Sequence, residues 1–315
     1  MRPTLVHRTN STTADTRIHR YQVNEYDHYN NATFTSYWSN SQTENAGTTR
    51  TFDALNRLRS EVVTGGGANL STVLTDYLSN NRMGVTDAKG NVTTTTYRAF
   101  GSPAYELASE IASPEGVTTT LSYNAFDRVT AITQSGTNAQ GEAISITESR
   151  AYNLYQQLCK SHRPDTGQTV FINNALGQVT EKQEGTTGGT HSDCVYTQNA
   201  QAVIDFGFDN LGDNRSVTFH DNQGGHLSPN LQYTLDANGN LTQLTSSLGA
   251  DVVTQDYAYN NLNLLEQETL SLDGKTLTLD YEYNALGNAS ALSYPDGDRV
   301  RFAPNAFGEA TQVIR

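Results

Sequence analysis

Side chains that could bind a metal ion are few and scattered in this sequence. Its two nearest histidines, His220 and His226, lie in a Gly-rich stretch. A metal site needs convergent ligands supported by carboxylates, and two histidines in a polar loop are more often solvated. The sequence therefore predicts no metal site and no cofactor. The histidines are His7, His19, His28, His162, His191, His220 and His226.

Local motifs for calcium, phosphate or acyl chemistry are incomplete. Residues 236–240 read Asp-Ala-Asn-Gly-Asn, but an EF-hand loop has Gly at its sixth position and Glu at its twelfth, where this chain has Ser247. We interpret these residues as a hairpin turn. Residues 65–67 are three glycines without the Lys-Ser/Thr of a phosphate-binding loop, and we predict a flexible hairpin end there.

Paired carboxylates are the catalytic alternative that is hardest to exclude. The acid and base of a glycosidase can come from distant strands and leave no local spacing. The acidic residues of this chain mostly occupy turns or outward strand positions. We therefore expect no enzyme, and a polysaccharide lyase or hydrolase remains an alternative.

One short motif recurs along the chain, and we call it the box. It consists of an aromatic residue, Asp or Asn, a small or polar residue, a large apolar residue, and often Gly. Successive boxes begin 21 to 51 residues apart, and the two longest steps would each hide one unrecognised unit. A unit of about 20 to 35 residues is typical of repeat arrays. Clear boxes occupy residues 52–56, 123–127, 152–156, 208–212, 259–263 and 283–287, and degenerate ones residues 97–101, 173–177 and 304–308.

A second turn motif, with Gly and usually Asp, lies between the boxes. In three units its Gly stands about one strand length before a box. Each unit is therefore predicted to consist of a turn, a strand, a second turn and a second strand. The Gly motif closes one end of the hairpin, and the box closes the other. The motif occurs at residues 87–90, 114–116, 164–167, 236–239, 273–274 and 295–297.

Strand periodicity is plainest at residues 276–283, where Leu or Tyr at odd positions alternates with polar residues at even ones. One face of this strand is therefore predicted to be core. Two segments, residues 70–78 and 105–112, contain local helix formers. We predict a strand for the second, because the repeat requires one before the turn at residues 114–116.

Each box residue has a predicted structural role. The aromatic ring ends a strand and is buried, the Asp or Asn oxygen accepts a backbone N–H, the apolar residue plugs the hairpin end, and Gly or Asn takes a positive φ. The predicted box residues are Phe52, Asp53, Tyr97, Tyr123, Asn124, Tyr152, Asn153, Phe208, Asp209, Tyr259, Asn260, Tyr283 and Asn284. The predicted turn glycines are Gly90, Gly116, Gly167, Gly239, Gly274, Gly287 and Gly297.

Composition agrees with an all-β fold. Hydrophobic residues make up 36% and charged residues 17%, so much of the chain is Thr, Asn, Ser, Gln and Gly. Thr favours strands, Asn and Gly favour turns, and the 17 tyrosines suit a half-buried strand face with the hydroxyl reaching water. The net charge of −13 argues against a nucleic-acid partner.

Two cysteines, Cys159 and Cys194, are too few for the disulfide framework of a small secreted domain. The sequence favours two unpaired thiols. It contains no apolar run long enough for a membrane-spanning helix, and its start lacks the apolar segment of a signal peptide.

The chain from about residue 51 resembles the RHS/YD-repeat family, named for its Tyr-Asp pair. Residues 294–297 read Tyr-Pro-Asp-Gly, and residues 86–93 read Thr-Asp-Ala-Lys-Gly-Asn-Val-Thr, both close to the family's wording. Asn mostly replaces Asp in the boxes, and the Arg that often follows them is kept as Arg57 and Arg128. The resemblance divides the chain into a degenerate N-terminal repeat region at residues 1–50 and an array of about 9–11 units at residues 51–315.

The resemblance implies an all-β fold of repetitive antiparallel hairpins whose curved, spiralling sheet forms part of a hollow shell. In bacterial polymorphic toxins and toxin complexes such shells enclose a toxin cargo. Toxin members end in a core segment with Asp-Pro pairs where self-cleavage occurs, but this chain has no Asp-Pro dipeptide. We therefore assign it no terminal core or toxin domain, and expect a non-catalytic fragment of a longer shell.

The expected partners are the rest of a larger RHS polypeptide or its toxin cargo, acting in a secreted protein or at the cell surface. A glycan- or protein-binding surface module is the alternative, because many Tyr and Asn side chains could stack on sugar rings and hydrogen-bond hydroxyls. The single tryptophan, Trp38, gives this alternative little support.

Overall fold

A computed structural model describes residues 5–9, 19–99, 105–221, 224–225, 228–305 and 308–315. Four box residues, Phe100, Gly101, Ala306 and Phe307, lie outside the described residues, and so does His226. The chain divides into two compact units, Met1–Glu148 and Ser149–Arg315, and each is considered by itself. Within the described residues, no helix is long and apolar enough to cross a membrane.

Every regular element of the described residues is a β-strand. The first unit contains β1 (Leu5–Thr9), β2 (His19–Tyr26), β3 (Ala32–Ser36), β4 (Gly47–Phe52), β5 (Leu58–Gly65), β6 (Ala68–Leu78), β7 (Arg82–Thr86), β8 (Val92–Tyr97), β9 (Ala108–Ala112), β10 (Thr118–Tyr123) and β11 (Val129–Thr137).

β12 (Ala143–Tyr152) contains the boundary between the units. The second unit continues with β13 (Leu158–Arg163), β14 (Gly167–Asn173), β15 (Val179–Thr186), β16 (Ala202–Phe208), β17 (Asn214–His220), β18 (Asn230–Leu235), β19 (Leu241–Leu248), β20 (Asp251–Tyr259), β21 (Leu265–Leu272), β22 (Lys275–Tyr283), β23 (Ala289–Ser293), β24 (Arg299–Pro304) and β25 (Ala310–Ile314).

Consecutive strands pair antiparallel. In the first unit this holds from β1 to β11. In the second it holds from β12 to β25. The predicted fold class, all-β with repetitive antiparallel hairpins, is confirmed. Each box turn follows an even-numbered strand, and we call those ends of the strands the box end.

The two longest steps between boxes each contain a further hairpin at the box end. One joins β6 to β7 through residues 79–81, and the other joins β18 to β19 through residues 236–240. The prediction that residues 236–239 close the opposite end is therefore wrong. Leu235 takes the place of the box aromatic there, which hid the unit from the sequence pattern.

The segments with local helix formers are strands. Residues 70–78 belong to β6, and residues 108–112 form β9, as the repeat register predicted. Both segments are paired on their two sides, so the ladder hydrogen bonds outweigh local propensity.

The predicted alternation in β22 is present, but its Leu/Tyr face is not a buried core. Leu277 is 52% exposed, and the other residues of that face are half-buried. Deep burial is instead concentrated on β12 to β16, where Ala151, Lys160, Val170 and Val203 are buried. The second unit therefore combines a buried region with a more open meander.

Candidate functional site

The box turn at residues 283–287 shows the geometry of this repeat. The Asn284 side-chain oxygen accepts the N–H groups of Leu286 at 2.9 Å and Asn288 at 3.0 Å. The backbone N–H of Gly287 donates to the Asn284 carbonyl at 2.9 Å, and Gly287 has a φ of 80°. Asx capping and one positive φ therefore close a five-residue loop.

The sequence-predicted residues lie at equivalent places in these turns. The aromatics Phe52, Tyr97, Tyr123, Tyr152, Phe208, Tyr259 and Tyr283 are the last residues of their strands. The following Asp or Asn accepts two backbone N–H groups at Asp53, Asn153, Asp209 and Asn260, and also at Asn124. Positive φ values occur at Gly90, Gly116, Gly167, Gly239, Gly274, Gly287 and Gly297.

The large apolar residue of the box does not plug the hairpin end, contrary to the sequence prediction. Side chains at this fourth box position are between 66% and 87% exposed. The Asx oxygen and the backbone bonds fill the inside of the loop, so the fourth side chain points to its outside. These residues are Leu55, Phe126, Tyr155, Leu176, Leu211, Leu262 and Leu286.

The box tyrosines tie neighbouring repeats together. Tyr283 donates its hydroxyl to the Leu265 carbonyl at 2.6 Å, and Tyr259 donates to the Leu241 carbonyl at 3.0 Å. Both acceptors lie two residues beyond the preceding turn. The hydroxyl was expected to reach water, but it satisfies a backbone carbonyl instead. A box with Phe, such as that of Phe208, has no hydroxyl for this bond.

A second tie joins the residue after one box to the last residue of the next. Asn240 donates a side-chain N–H to the Asn263 side-chain oxygen at 3.1 Å. Gln178 donates likewise to the Gly212 carbonyl at 2.9 Å. In the first unit, Asn31 donates to the Asn56 side-chain oxygen at 3.0 Å. Sequence analysis missed these ties, although the amide side chains after the boxes carry the signal.

Arg57, which follows the first clear box, is part of an aromatic cluster in the first unit. The Arg57 guanidinium lies 3.9 Å from the centroid of the Tyr77 ring and pairs with Asp53 at 2.7 Å. Tyr105 packs edge-on against both Tyr77 and Tyr97, with 5.4 Å between ring centroids in each pair. Cation–π and edge-to-face contacts therefore hold three repeats together.

Cys159 and Cys194 form a disulfide, with 5.6 Å between their Cα atoms, so the expectation of two unpaired thiols is wrong. Cys159 lies on β13, and Cys194 lies in the long connection between β15 and β16, residues 187–201. We call that connection the stapled loop. The two cysteines are 35 residues apart in sequence, and sequence alone gave no sign that this loop returns to β13.

Lys160 anchors the stapled loop beside the disulfide. Its side chain is 1% exposed, and its ammonium donates to Asp193 at 3.0 Å and to the Val195 carbonyl at 2.7 Å. Hydrogen bonds from Thr190 and from Lys160 hold the pKa of Asp193 well below its usual range. The loop therefore supplies the hydrogen-bond partners that a buried ammonium group requires.

A histidine of the stapled loop stacks on a histidine of β13. The rings of His162, on β13, and His191, on the loop, stack with 3.8 Å between their centroids. Burial, together with the positive charges of His191 and Lys160, lowers the pKa of His162. A neutral His162 is therefore favoured in the folded protein.

A pocket of about 350 Å³ lies on the Leu/Tyr face of β20 to β23. Leu270, Leu277 and Leu279 form its aliphatic part, and the Tyr257 and Tyr294 rings flank it. Glu268 and Gln255 supply its polar groups. Such a mixture of rings, aliphatic groups and a few polar atoms is typical of small-ligand sites.

One polar group of this pocket, Glu268, has a hydrogen-bond partner beside the pocket. Tyr281 donates its hydroxyl to the Glu268 carboxylate at 2.8 Å. Burial and this bond raise the pKa of Tyr281 to about 12. Burial and the charge of Glu268 also raise the pKa of Tyr257. Both phenols therefore stay neutral at physiological pH, with Glu268 an acceptor.

Of the two histidines nearest in sequence, His220 and His226, only His220 lies within the described residues. His220 donates one ring nitrogen to Asp205 at 2.8 Å, and its other ring nitrogen contacts the Asp221 carbonyl at 2.8 Å. The bonds to the Asp221 carbonyl and to Asp205 raise its pKa. Among the described residues, no group of three or more His, Cys, Asp or Glu side chains could hold a metal ion.

Comparison with known proteins finds the fold but no sequence relative. No family model matches the chain, and no curated protein matches it. The crystal structures of TcdB2-TccC3-TEV and of TcdB2-TccC3 without its hypervariable C-terminal region each match 98% of this chain with a TM-score of 0.50, at 10% and 12% identity. The Photorhabdus luminescens Tc holotoxin pore matches with a TM-score of 0.49 at 12% identity.

The likeness shows a shared fold. This chain covers 19% of the length of each of these chains, so it spans about a fifth of the structures that it matches. The all-β hairpin array is therefore a known protein architecture.

Proposed function

We propose that this chain is a non-catalytic structural scaffold, a segment of a larger RHS-type shell that encloses a polypeptide cargo or acts at the cell surface. The observation that carries the proposal is the repeated tie between neighbouring box turns, through Tyr hydroxyls and amide side chains. Interactions limited to adjacent repeats stabilise an array that gains with length. The fold shared with TcdB2-TccC3 supports the same role.

The disulfide supports a site of action outside the reducing cytosol. Disulfides form and persist in secreted, periplasmic or cell-surface proteins. Cys159 of the Cys159–Cys194 disulfide is 7% exposed, whereas catalytic cysteines are partly exposed to solvent, which favours a structural bridge. We therefore place the mature protein in an oxidising compartment as part of this proposal.

The intact mass of the natural product in its source cell tests the scaffold proposal. An antiserum against this chain would isolate the product, and mass spectrometry would measure it. A mass far above the 34.4 kDa of this chain, with a protease-protected segment beyond it, is the expected result. A product of 34.4 kDa would overturn the proposal, because the array would then stand alone.

A second candidate function is glycan binding at the pocket on β20 to β23. Tyr257 and Tyr294 offer ring faces for stacking on a sugar, while Gln255 and Glu268 offer hydrogen-bond partners for hydroxyls. Tyr294 is 41% exposed and therefore accessible to a ligand. The pocket volume suits one or two sugar rings.

A glycan array tests this candidate. Micromolar binding that is lost in Tyr294→Ala, and kept in Tyr155→Ala, would support a pocket ligand, because Tyr155 is exposed far from the pocket in sequence and strand order. A blank array, or equal loss in both variants, would reject it. The scaffold proposal is untouched by either outcome.

A further inference from the structure

The floor of the pocket on β20 to β23 consists of side chains paired directly across neighbouring strands. One row runs across β20, β21 and β22 through Tyr257, Glu268 and Leu279. Leu270 and Leu277 are paired in the adjacent row. The Glu268 carboxylate therefore lies between a tyrosine ring on one side and leucine side chains on the other.

The charge of Glu268 has no counter-ion in this pocket. Among the described residues that line the pocket, Glu268 alone is charged, and its side chain is half-buried. One carboxylate oxygen accepts the Tyr281 hydroxyl at 2.8 Å. In the part of the chain that the structure describes, no Lys, Arg or His forms an ion pair with Glu268. A half-buried carboxylate of this kind favours a ligand that brings a positive charge.

The basic residues on β22 and β24 do not neutralise this charge. Lys275 is on the pocket face, but it lies about 13 Å along β22 from the residue opposite Glu268, and it lines a separate, smaller cavity. Arg299 donates to Glu282, and Arg301 is aligned with Glu282 through β23. Because side chains alternate along a strand, Glu282 and both arginines lie on the opposite face of the sheet.

The aromatic rings of the pocket favour the same kind of ligand. Directly paired residues have Cβ atoms about 5 Å apart, so a cation bound to Glu268 lies within cation–π range of the Tyr257 ring. Tyr294 flanks the pocket with a second ring, and the leucines offer an apolar surface for a carbon body. A neutral hydroxyl would gain only a hydrogen bond from Glu268, and an anion would be repelled.

We infer that this pocket selects an organic cation, an ammonium group on a compact ring, over neutral and anionic ligands. This selectivity rests on the second candidate function, because the pocket must first bind a small ligand. It narrows the candidate glycans to those with a free amino group. An amino sugar and a cycloalkyl ammonium ion share the chemistry that Glu268 and Tyr257 recognise.

Titration calorimetry on the full chain tests this selectivity with two matched pairs of probes. The first pair is a glucosamine disaccharide and its N-acetylated, neutral form. The second pair is cyclohexylammonium and cyclohexanol. At a pH where both amines are protonated, each ammonium probe is expected to bind about tenfold more tightly than its neutral partner, because its hydrogen bond to the carboxylate is charge-assisted.

Two variants locate the preference within the molecule. Glu268→Gln removes the charge but keeps an oxygen that accepts the Tyr281 hydroxyl, so the fold is retained and both members of each pair are expected to bind equally. Glu282→Gln removes the same charge from the opposite face of the sheet, and the preference is expected to persist. Circular dichroism of both variants should match that of the native chain.

The failure of this selectivity can be told apart from the failure of glycan binding. Equal affinity of the native chain for both members of each pair would overturn the inference and leave the glycan candidate standing. A preference that survives Glu268→Gln would also overturn it. If cyclohexylammonium binds with the expected preference and the amino sugar does not bind, the pocket selects a cation but the glycan candidate is rejected. Absence of binding by all four probes would reject both.

Discussion

The stapled region, β12 to β16 with the stapled loop, and the open meander, β18 to β25, are built from the same hairpin but are stabilised differently. In the stapled region a loop folds back onto Lys160, and Lys160, its cross-strand neighbour Val170, and Val203 are all buried. In the open meander the Leu/Tyr face is only half-buried, and the visible stabilising contacts are ladder bonds and ties between box turns. The two regions of the second unit therefore differ in burial and in the contacts that stabilise them.

The two regions are expected to differ in how cooperatively their strands unfold. In the meander each hairpin adds its own contribution to the free energy of unfolding, because its repeats contact only adjacent repeats. The disulfide instead joins β13 to a residue beyond β15, so it links three strands and their connections into one unit. Local opening should therefore be rarer and more concerted in the stapled region than in the meander.

Removal of the disulfide should abolish this difference and is the largest effect that we expect. Closing a loop of 35 residues is worth about 3–4 kcal/mol in the chain-entropy account. In Cys159→Ala/Cys194→Ala, amide exchange in β13 to β16 should accelerate by more than a hundredfold, while β20 to β23 should be unchanged. Exchange that accelerates equally in both regions would show that they unfold together.

Lys160→Ala tests the buried anchor without breaking the staple. The variant loses two hydrogen bonds from a charged donor and the packing of the aliphatic part of the lysine side chain. These losses should destabilise the closed loop by about 2–3 kcal/mol. Lys182→Ala is the matched control, because Lys182 pairs with Glu184 while 31% of its side chain stays exposed. That change should cost less than about 0.5 kcal/mol. Proteolysis of the loop measures both, and equal rates would refute the anchor role.

Tyr283→Phe tests the ties that stabilise the open meander. The ring remains, but the hydrogen bond to the Leu265 carbonyl is lost, which should cost about 1 kcal/mol. Amide exchange in β21 to β23 should increase about fivefold, with β13 to β16 unaffected. Tyr155→Phe is the control, because Tyr155 is 83% exposed. If both variants behave like the native chain, the Tyr ties do not stabilise the meander.

The hairpins of both regions could be predicted from sequence for the most part, whereas the contacts that staple the loop to the sheet could not. Alternation, Asx turns and positive-φ residues act within one hairpin, so residues such as Asn284 and Gly287 carry their own signal. The disulfide and the Lys160–Asp193 pair depend on where residues 187–201 return to the sheet, and no local period encodes that. The plug prediction for residues such as Leu211 was wrong because apolar character was equated with burial inside the same turn.

Acid should open the stapled loop selectively, in two steps, and at neutral pH the effect should be negligible. The pKa of His162 is lowered by burial and by the charges of His191 and Lys160, and the pKa of Asp193 is lowered by its hydrogen bonds from Thr190 and Lys160. A lowered pKa means that the folded loop binds protons less readily than the unfolded loop, so both contributions are present at high pH and are lost as pH falls. Loss from His162 should begin below its ordinary value of 6.5, and loss from Asp193 below 3.8. Loop proteolysis should rise several-fold from pH 7 to pH 5 in the native chain, and His162→Asn should remove that rise while leaving the lower step. A native loop that is equally resistant at both values would show that the histidine stack does not couple loop closure to protonation.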